Sequence, residues 1–308
     1  MSAPRWLSQS IAWPLLAGVF LLAGCDDPLK SVSLIEETRV LGARVEVASD
    51  ATRSSPRPGE SATLRLFVAA PSAPSDVSYA LSVCAVSPVN SGFPSCAGAP
   101  FASTAQSEAG SNAPELDFQV PADLDLTATP HGFASALVCP NSALNEPKMG
   151  AASCTDGAGT AVNFEFDLGG PDDENHSPSI TAGALTLDGE PWLEPSALAA
   201  CPGELPSVPG GSKHTLAITL QGGDFELLAQ STDIEPARET LLVSQFSDAG
   251  KLDHAYLSLS ADSAASDRQV TWEAPASTGV ATLIRFYFVV RDARGGEDFA
   301  TRALCLSP

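Results

Sequence analysis

After its first 25 residues this 308-residue chain has no sustained apolar repeat of helical period, and aromatic side chains make up only 6% of it. Lacking that repeat, it reads as neither a helix bundle nor an alternating strand–helix fold. The glycine patterns that cradle nucleotide phosphates are absent, as expected without strand–helix units. There is no Gly-x-Ser-x-Gly elbow, no Ser-x-x-Lys and no His-Glu-x-x-His, which removes the common serine-nucleophile and zinc-protease signatures. No two cysteines form a Cys-x-x-Cys pair, arguing against a zinc knuckle or a thioredoxin-type redox site. Basic residues are scarce: 16 against 37 acidic, a net charge of −21. Such a surface repels nucleic acid and anionic headgroups, so neither is an expected partner.

What is present starts at the N-terminus. Arg5 precedes an apolar run from Ile11 to Phe20, and Leu22-Ala23-Gly24 lead into Cys25. The layout reads as an export signal, and its end resembles the lipobox of bacterial prolipoproteins. Small residues before Cys25 let a membrane protease reach the peptide bond, and the thiol can take a diacylglyceryl group. Ile11 to Gly24 spans 14 residues and contains Pro14, short of the roughly 18 to 20 a spanning helix needs. The expectation is that residues 1–24 are removed and Cys25 carries the lipid. Several acyl chains, each worth about 0.8 kcal/mol per buried methylene, then hold the protein at a bilayer. Losing Arg5 leaves 15 basic and 37 acidic residues, a net charge of −22.

Setting Cys25 aside leaves Cys84, Cys96, Cys139, Cys154, Cys201 and Cys305. An even number in an exported chain reads as disulfides, and six cysteines allow fifteen pairings. Local order favours Cys84–Cys96, Cys139–Cys154 and Cys201–Cys305, all structural.

Alternation of apolar and polar residues marks strands at 38–47, 62–70, 77–86, 116–120, 133–138 and 162–168. The last is the clearest, with Val162, Phe164, Phe166 and Leu168 facing one way. Residues 87–114 read as a long polar loop. Gly169 to Pro178 is glycine, proline and charge, the best domain boundary. Beyond it strands recur at 180–187, 214–221, 240–246, 252–259, 270–272, 281–291 and 299–306, with Asp248 to Lys251 a plausible hairpin turn. Many short strands with 25 prolines and 24 glycines predict an all-β fold of sandwich type.

Chemistry is harder to find. His131, His176, His214 and His254 are the only imidazoles, each among polar or turn residues where exposure is the ordinary role. Abundant serines leave open a triad assembled from distant positions. Asp172, Asp173, Glu174 and Asn175 could offer oxygens to Ca²⁺, but they do not match EF-hand spacing and read better as a solvated hinge. Trp192 and Trp272 read as core packing.

Val289-Val290-Arg291-Asp292 followed by Gly295-Gly296, with Trp272-Glu273-Ala274-Pro275 before it, resembles the closing hairpin of PKD-type and related immunoglobulin-like domains. Leu34-Ile35-Glu36 and the run Ser244 to Gly250 are similar to segments of a group of uncharacterised bacterial lipoproteins. That resemblance implies an anchor and a fold, and brings no catalytic residues with it. The N-terminal half departs from it in having no tryptophan after Trp13.

The sequence therefore predicts two immunoglobulin-like β-sandwich domains in tandem after a lipoprotein signal peptide: signal 1–24, lipidated tether 25–37, domain 38–168, linker 169–178 and domain 179–308. The expected function is a non-catalytic structural or adhesive module of the cell envelope, without cofactor or metal. It would touch the membrane through its lipid and bind an envelope protein or a glycan. The alternatives are a hydrolase with a scattered site, or a subunit of an envelope complex. Asp26 resembles the inner-membrane retention signal of enteric bacteria, and both periplasmic and surface-exposed placements stay open.

Overall fold

The computed structural model describes residues 31–71, 76–87, 94–111, 113–145, 152–170, 174–196, 200–201, 203–228 and 237–308. The signal sequence and Cys25 lie outside the described residues. The first half contributes β1 (Arg39–Val47), β2 (Ser61–Ala69), β3 (Val77–Ala85), β4 (Ala102–Ser111), β5 (Glu115–Gln119), β6 (His131–Pro140), β7 (Leu144–Asn145), β8 (Ser153–Cys154) and β9 (Thr160–Asp167). The second contributes β10 (Leu185–Leu187), β11 (Glu190–Pro191), β12 (Ser207–Val208), β13 (Lys213–Ile218), β14 (Leu241–Ser247), β15 (Lys251–Leu252), β16 (Tyr256–Leu259), β17 (Gln269–Glu273), β18 (Thr282–Arg291) and β19 (Glu297–Leu306). The only helical turns among the described residues are two short 3-10 segments, Gly222–Asp224 and Ala265–Arg268. The protein is all-β. No helix among these residues is long and apolar enough to cross a membrane.

Period-two alternation does the sorting. In β2, Ala62, Leu64, Leu66 and Val68 turn inward while Thr63 and Arg65 face out. The sheet β1-β2-β5 lies against the sheet β4-β3-β6-β9, and their facing side chains form one core with Leu81, Phe118 and Phe166. In the second half β11-β10-β13-β17-β15 packs on β12-β19-β18-β14-β16 around Trp192, Trp272, Phe286 and Phe288. Each buried side chain of this size stabilises by about 1.5–3 kcal/mol. Both tryptophans meet the Phe286 ring edge-on, at 4.9 and 5.0 Å between centroids. Their indole N–H groups donate to Ala303 O and Ala249 O, so neither is left unsatisfied in the core.

Three disulfides close the chain, Cys84–Cys96, Cys139–Cys154 and Cys201–Cys305, across 12, 15 and 104 residues. They mark an oxidising, extracytoplasmic compartment. The longest holds the parallel seat of β12 beside β19.

Several boundaries differ from the sequence reading. The segment expected as loop from 87 to 114 contains β4, a ten-residue edge strand of small and polar residues, ASTAQSEAGS. An edge strand needs no apolar alternation, and polar side chains there discourage pairing with other chains. The expected 180–187 strand shrinks to three residues. Asp248 to Lys251 is not a hairpin turn, because β14 and β15 belong to different sheets. It is a corner, and the run 252–259 is split between the two sheets, β15 on one and β16 on the other.

The two sheet pairs fall within one compact unit, Ser31–Pro308. The outward face of β14, β18 and β19 presents Phe246, Tyr287, Val289 and Phe299, and these pack against Leu41, Phe67 and Ala69 of the first pair and against Ile35. Phe67 and Phe299 stack at 4.4 Å between centroids, and Tyr287 Oη donates to Ala70 O at 2.9 Å. A bulge between Val40 and Gly42 re-aims Leu41 out of its own sheet pair towards this cluster.

Ile35 arrives there as a strap. Its N–H donates to Ser247 O at 2.8 Å, and the Ser247 N–H donates to Ser33 O at 2.9 Å. The segments Leu34-Ile35-Glu36 and Ser244 to Gly250 thus pair with each other. Part of the expected tether 25–37 is docked, since Ser33 and Ile35 are buried. Replacing Ile35 with Ala should lower the free energy of unfolding by about 2–5 kcal/mol, measured by urea denaturation. An unchanged midpoint would contradict the docked strap.

Candidate functional site

Two polar constellations stand out, one at the joint between the sheet pairs and one on the edge of the second pair. The joint is built by the loop between β18 and β19, which reaches across to the first pair. Gly295, at φ +94°, lies against the backbone of Phe166 where a Cβ would clash, and the Asp167 N–H donates to Arg294 O at 3.0 Å. Arg294 holds Glu239 Oε1 at 2.6 Å and also the Glu226 carboxylate. The other Glu226 oxygen meets His176 Nδ1 at 2.8 Å. Asp292 accepts the N–H groups of Arg294 and Gly296 and the Asn175 side-chain amide. Burial pushes the carboxyls of Asp292 and Glu239 above the ordinary range, with Arg294 opposing it.

Asn175 corrects the expectation of a solvated hinge. It is 1% exposed, and Ser54 and Ser55 hold it through five hydrogen bonds at Asn175 N, Nδ2 and O. The linker pegs the two sheet pairs together. Of the residues considered for Ca²⁺, Asp172 and Asp173 lie outside the described residues. Glu174 pairs with Arg57 and Arg53, and Asn175 presents its amide nitrogen to Ser54 and Asp292. Among the described residues no group of three or more His, Cys, Asp or Glu is arranged to hold a metal.

A second carboxylate cluster lies deeper. Glu297 binds Arg291 Nε at 2.7 Å, beneath Gly42, whose missing side chain leaves the space its carboxylate occupies. Arg291 also donates to Leu41 O and to Ser244 Oγ. Burial raises Glu297 to about 7 despite Arg291. Asp248, at the corner after β14, accepts the Arg285 N–H and is raised by burial to about 6.

The other constellation joins Asp188, Ser212 and His214. Asp188 and Gly189, at φ +52° and +86°, make the two-residue turn between β10 and β11, a conformation that suits Asp-Gly. The register Leu187↔Leu216 then sets Asp188 beside Thr215. Asp188 Oδ1 accepts the Thr215 N–H at 2.8 Å, and Oδ2 meets His214 Nδ1 at 2.6 Å. His214 Nε2 is 2.6 Å from Ser212 Oγ, which also donates to Pro209 O at 2.5 Å. Burial alone would raise the Asp188 carboxyl, but hydrogen bonds from His214 and Thr215 hold it below its ordinary value. The His214 side chain is 11% exposed, against the expectation of an exposed residue. Ser212 and His214 share a strand face because they are two residues apart, a spacing readable in the sequence; the contribution of Asp188 was not.

The other histidines are placed more simply. His131 meets Asp167 at 2.8 Å on the surface, and His254 is exposed. A separate groove of about 590 Å³ is lined by Pro191, Leu193, Glu194, Glu204, Leu205 and Pro206, among others.

No protein-family model matches the chain, and no curated protein matches it. Among solved structures, dimeric latent PorU from Porphyromonas gingivalis is similar at 14% identity and a TM-score of 0.23, covering 86% of this chain and 24% of that one. Salmonella alpha-2-macroglobulin reacted with methylamine is similar at 10% identity and a TM-score of 0.23, covering 90% of this chain and 16% of that one. The chain thus spans about a quarter and a sixth of these two proteins.

The raised carboxyls fix a sign for pH dependence. A folded pKa above the unfolded one adds stability below the unfolded value, and that stability is lost as pH rises through the folded value. For Glu297 the window runs from 4.5 to about 7, and for Asp248 from 3.8 to about 6. Thermal stability should therefore gain from these two groups as pH falls from about 8 to about 5. In Glu297→Gln that pH slope should be smaller, as calorimetry at several pH values will show; an unchanged slope would remove Glu297 from the account.

Proposed function

We propose that the protein is a lipid-anchored component of a bacterial cell envelope. Its two sheet pairs, taken as immunoglobulin-like domains 38–168 and 179–308 around linker 169–178, act as a non-catalytic structural or adhesive module. The observation that carries this reading is the joint. Asn175, Arg294 and Tyr287 cross-link the halves through buried hydrogen bonds, so the outer strands and end loops keep fixed relative positions. A surface of fixed geometry suits recognition of an envelope protein or glycan, because little ordering cost remains at binding. Three disulfides support the extracytoplasmic placement, and the Leu22 to Cys25 sequence supports the lipid.

The relay of Asp188, His214 and Ser212 favours a second reading, a serine hydrolase. Its nitrogen assignment is that of a nucleophile and base oriented by a carboxylate. Proton counting supports a structural role instead. Ser212 has one hydroxyl proton and two acceptors in reach, His214 Nε2 and Pro209 O. A hydroxyl that donates to Pro209 O is not free to donate to Nε2 as well. Held this way, Asp188, His214 and Ser212 clamp the β10–β11 turn onto β13.

Two measurements test the anchor and separate the two readings of the site. Intact-mass analysis of membrane fractions should find a diacylglyceryl-modified chain beginning at Cys25, and Cys25→Ser should accumulate as unlipidated precursor; normal processing of that variant would reject the anchor. A fluorophosphonate probe should leave Ser212 unlabelled. Labelling that disappears in Ser212→Ala would replace the binding reading with the hydrolase.

A further inference from the structure

The strap fixes where an anchored chain must leave the body. Leu34 bridges Ser247 in parallel, so the residues preceding Ser33 head back along β14 towards its first residues. That edge of β14 is already taken: Leu241 to Ser244 pair with β16, and the Gln245 N–H donates to Ala255 O. Ser31 and Val32 therefore turn away beside the start of β16. The turn itself is visible, with the Leu34 N–H donating to Ser31 O and Arg39 Nη1 holding Val32 O at 2.8 Å. Arg39 in turn covers the Phe246 ring.

This corner carries exposed apolar side chains that the joint does not use. Val32 is 54% exposed, Tyr256 49% and Leu242 42%. Leu242 and Tyr256 are diagonal neighbours on one sheet face, since Leu242 pairs with Ser258 and Ser244 with Tyr256, within contact range for large side chains. Cys25 precedes Ser33 by eight residues, a reach of about 28 Å at most when fully extended.

We infer that the corner formed by Val32, Leu242 and Tyr256 rests on the lipid surface, so that the anchored protein has one preferred face towards the bilayer. The inference depends on the lipid anchor proposed above. The short reach supplies the proximity, and the docked strap puts this corner beside the point where the anchored segment joins the body. Tyrosine suits the boundary between headgroups and acyl chains, with its ring in the apolar layer and its hydroxyl in the wet one. The partner is a zwitterionic surface, because the processed chain, with 15 basic and 37 acidic residues and a net charge of −22, is repelled by anionic headgroups.

The test uses the full acylated protein in phosphatidylcholine vesicles containing brominated phosphatidylcholine, which quenches tryptophan only at short range. Tyr256→Trp places a reporter at the corner, and Leu193→Trp, at the groove by the opposite edge of the sheet, serves as control. Trp192 and Trp272 are fully buried and give a constant background. Emission from Tyr256→Trp should be quenched at least twofold more than that from Leu193→Trp, both variants having wild-type melting temperatures. Equal quenching, or more at position 193, would overturn the inference. Mass analysis of the same samples separates the two claims: lipid present without differential quenching sinks the docking face alone, whereas absent lipid sinks the anchor. Should Tyr256→Trp melt early, Leu242→Trp replaces it with the same expected contrast.

Discussion

The desolvated contact between β1 and the outward face of β14, β18 and β19 is the constraint on which the architecture rests. A sheet face left in water would be polar; this one carries Phe246, Tyr287, Val289 and Phe299, and is covered by Leu41, Phe67, Ala69 and Ile35. Once that contact forms, the polar groups around it must find partners inside the protein, because water is excluded. Arg291 reaching Leu41 O, Tyr287 reaching Ala70 O and Asn175 reaching Asp292 are the outcome. Sandwiches merely strung on a linker would need none of these.

Much of the fold was legible because half-buried strands repeat with period two. Residues 162–168 and 62–70 announced β9 and β2 within two residues, and disulfide pairs followed local order. What escaped were features set by partners distant in sequence. β4 has no apolar stripe since only one of its edges is paired, and the sheet switch after Asp248 depends on Arg285 and Trp272. Hydrophilic composition at 169–178 suggested solvent, yet Asn175 is buried, its amide nitrogen donating to Ser54 and Asp292. Of the candidate chemistry, Ser212 and His214 were visible as neighbours on one strand face, but Asp188 joins them only through a cross-strand register.

Charge is distributed with a division of labour. The sequence has 12 arginines and four lysines against 37 acids. Arg44, Arg53, Arg291 and Arg294 all pair with carboxylates at or beside the joint, where a planar guanidinium can satisfy several acceptors at once. The excess acids are left to the surface, which keeps the protein soluble. Ion pairs so placed serve geometry more than stability, since burying them offsets much of their attraction.

The position of β19 has a temporal consequence. It lies inside its sheet, between β12 and β18, although it is the last strand in the sequence. The sheet cannot close until residues 297–306 have been synthesised, and the cover over its outward face waits on that closure. A nascent polypeptide therefore cannot assemble its second core, nor the cover over it, until residues 297–306 have left the ribosome, whereas the first core draws only on residues already made.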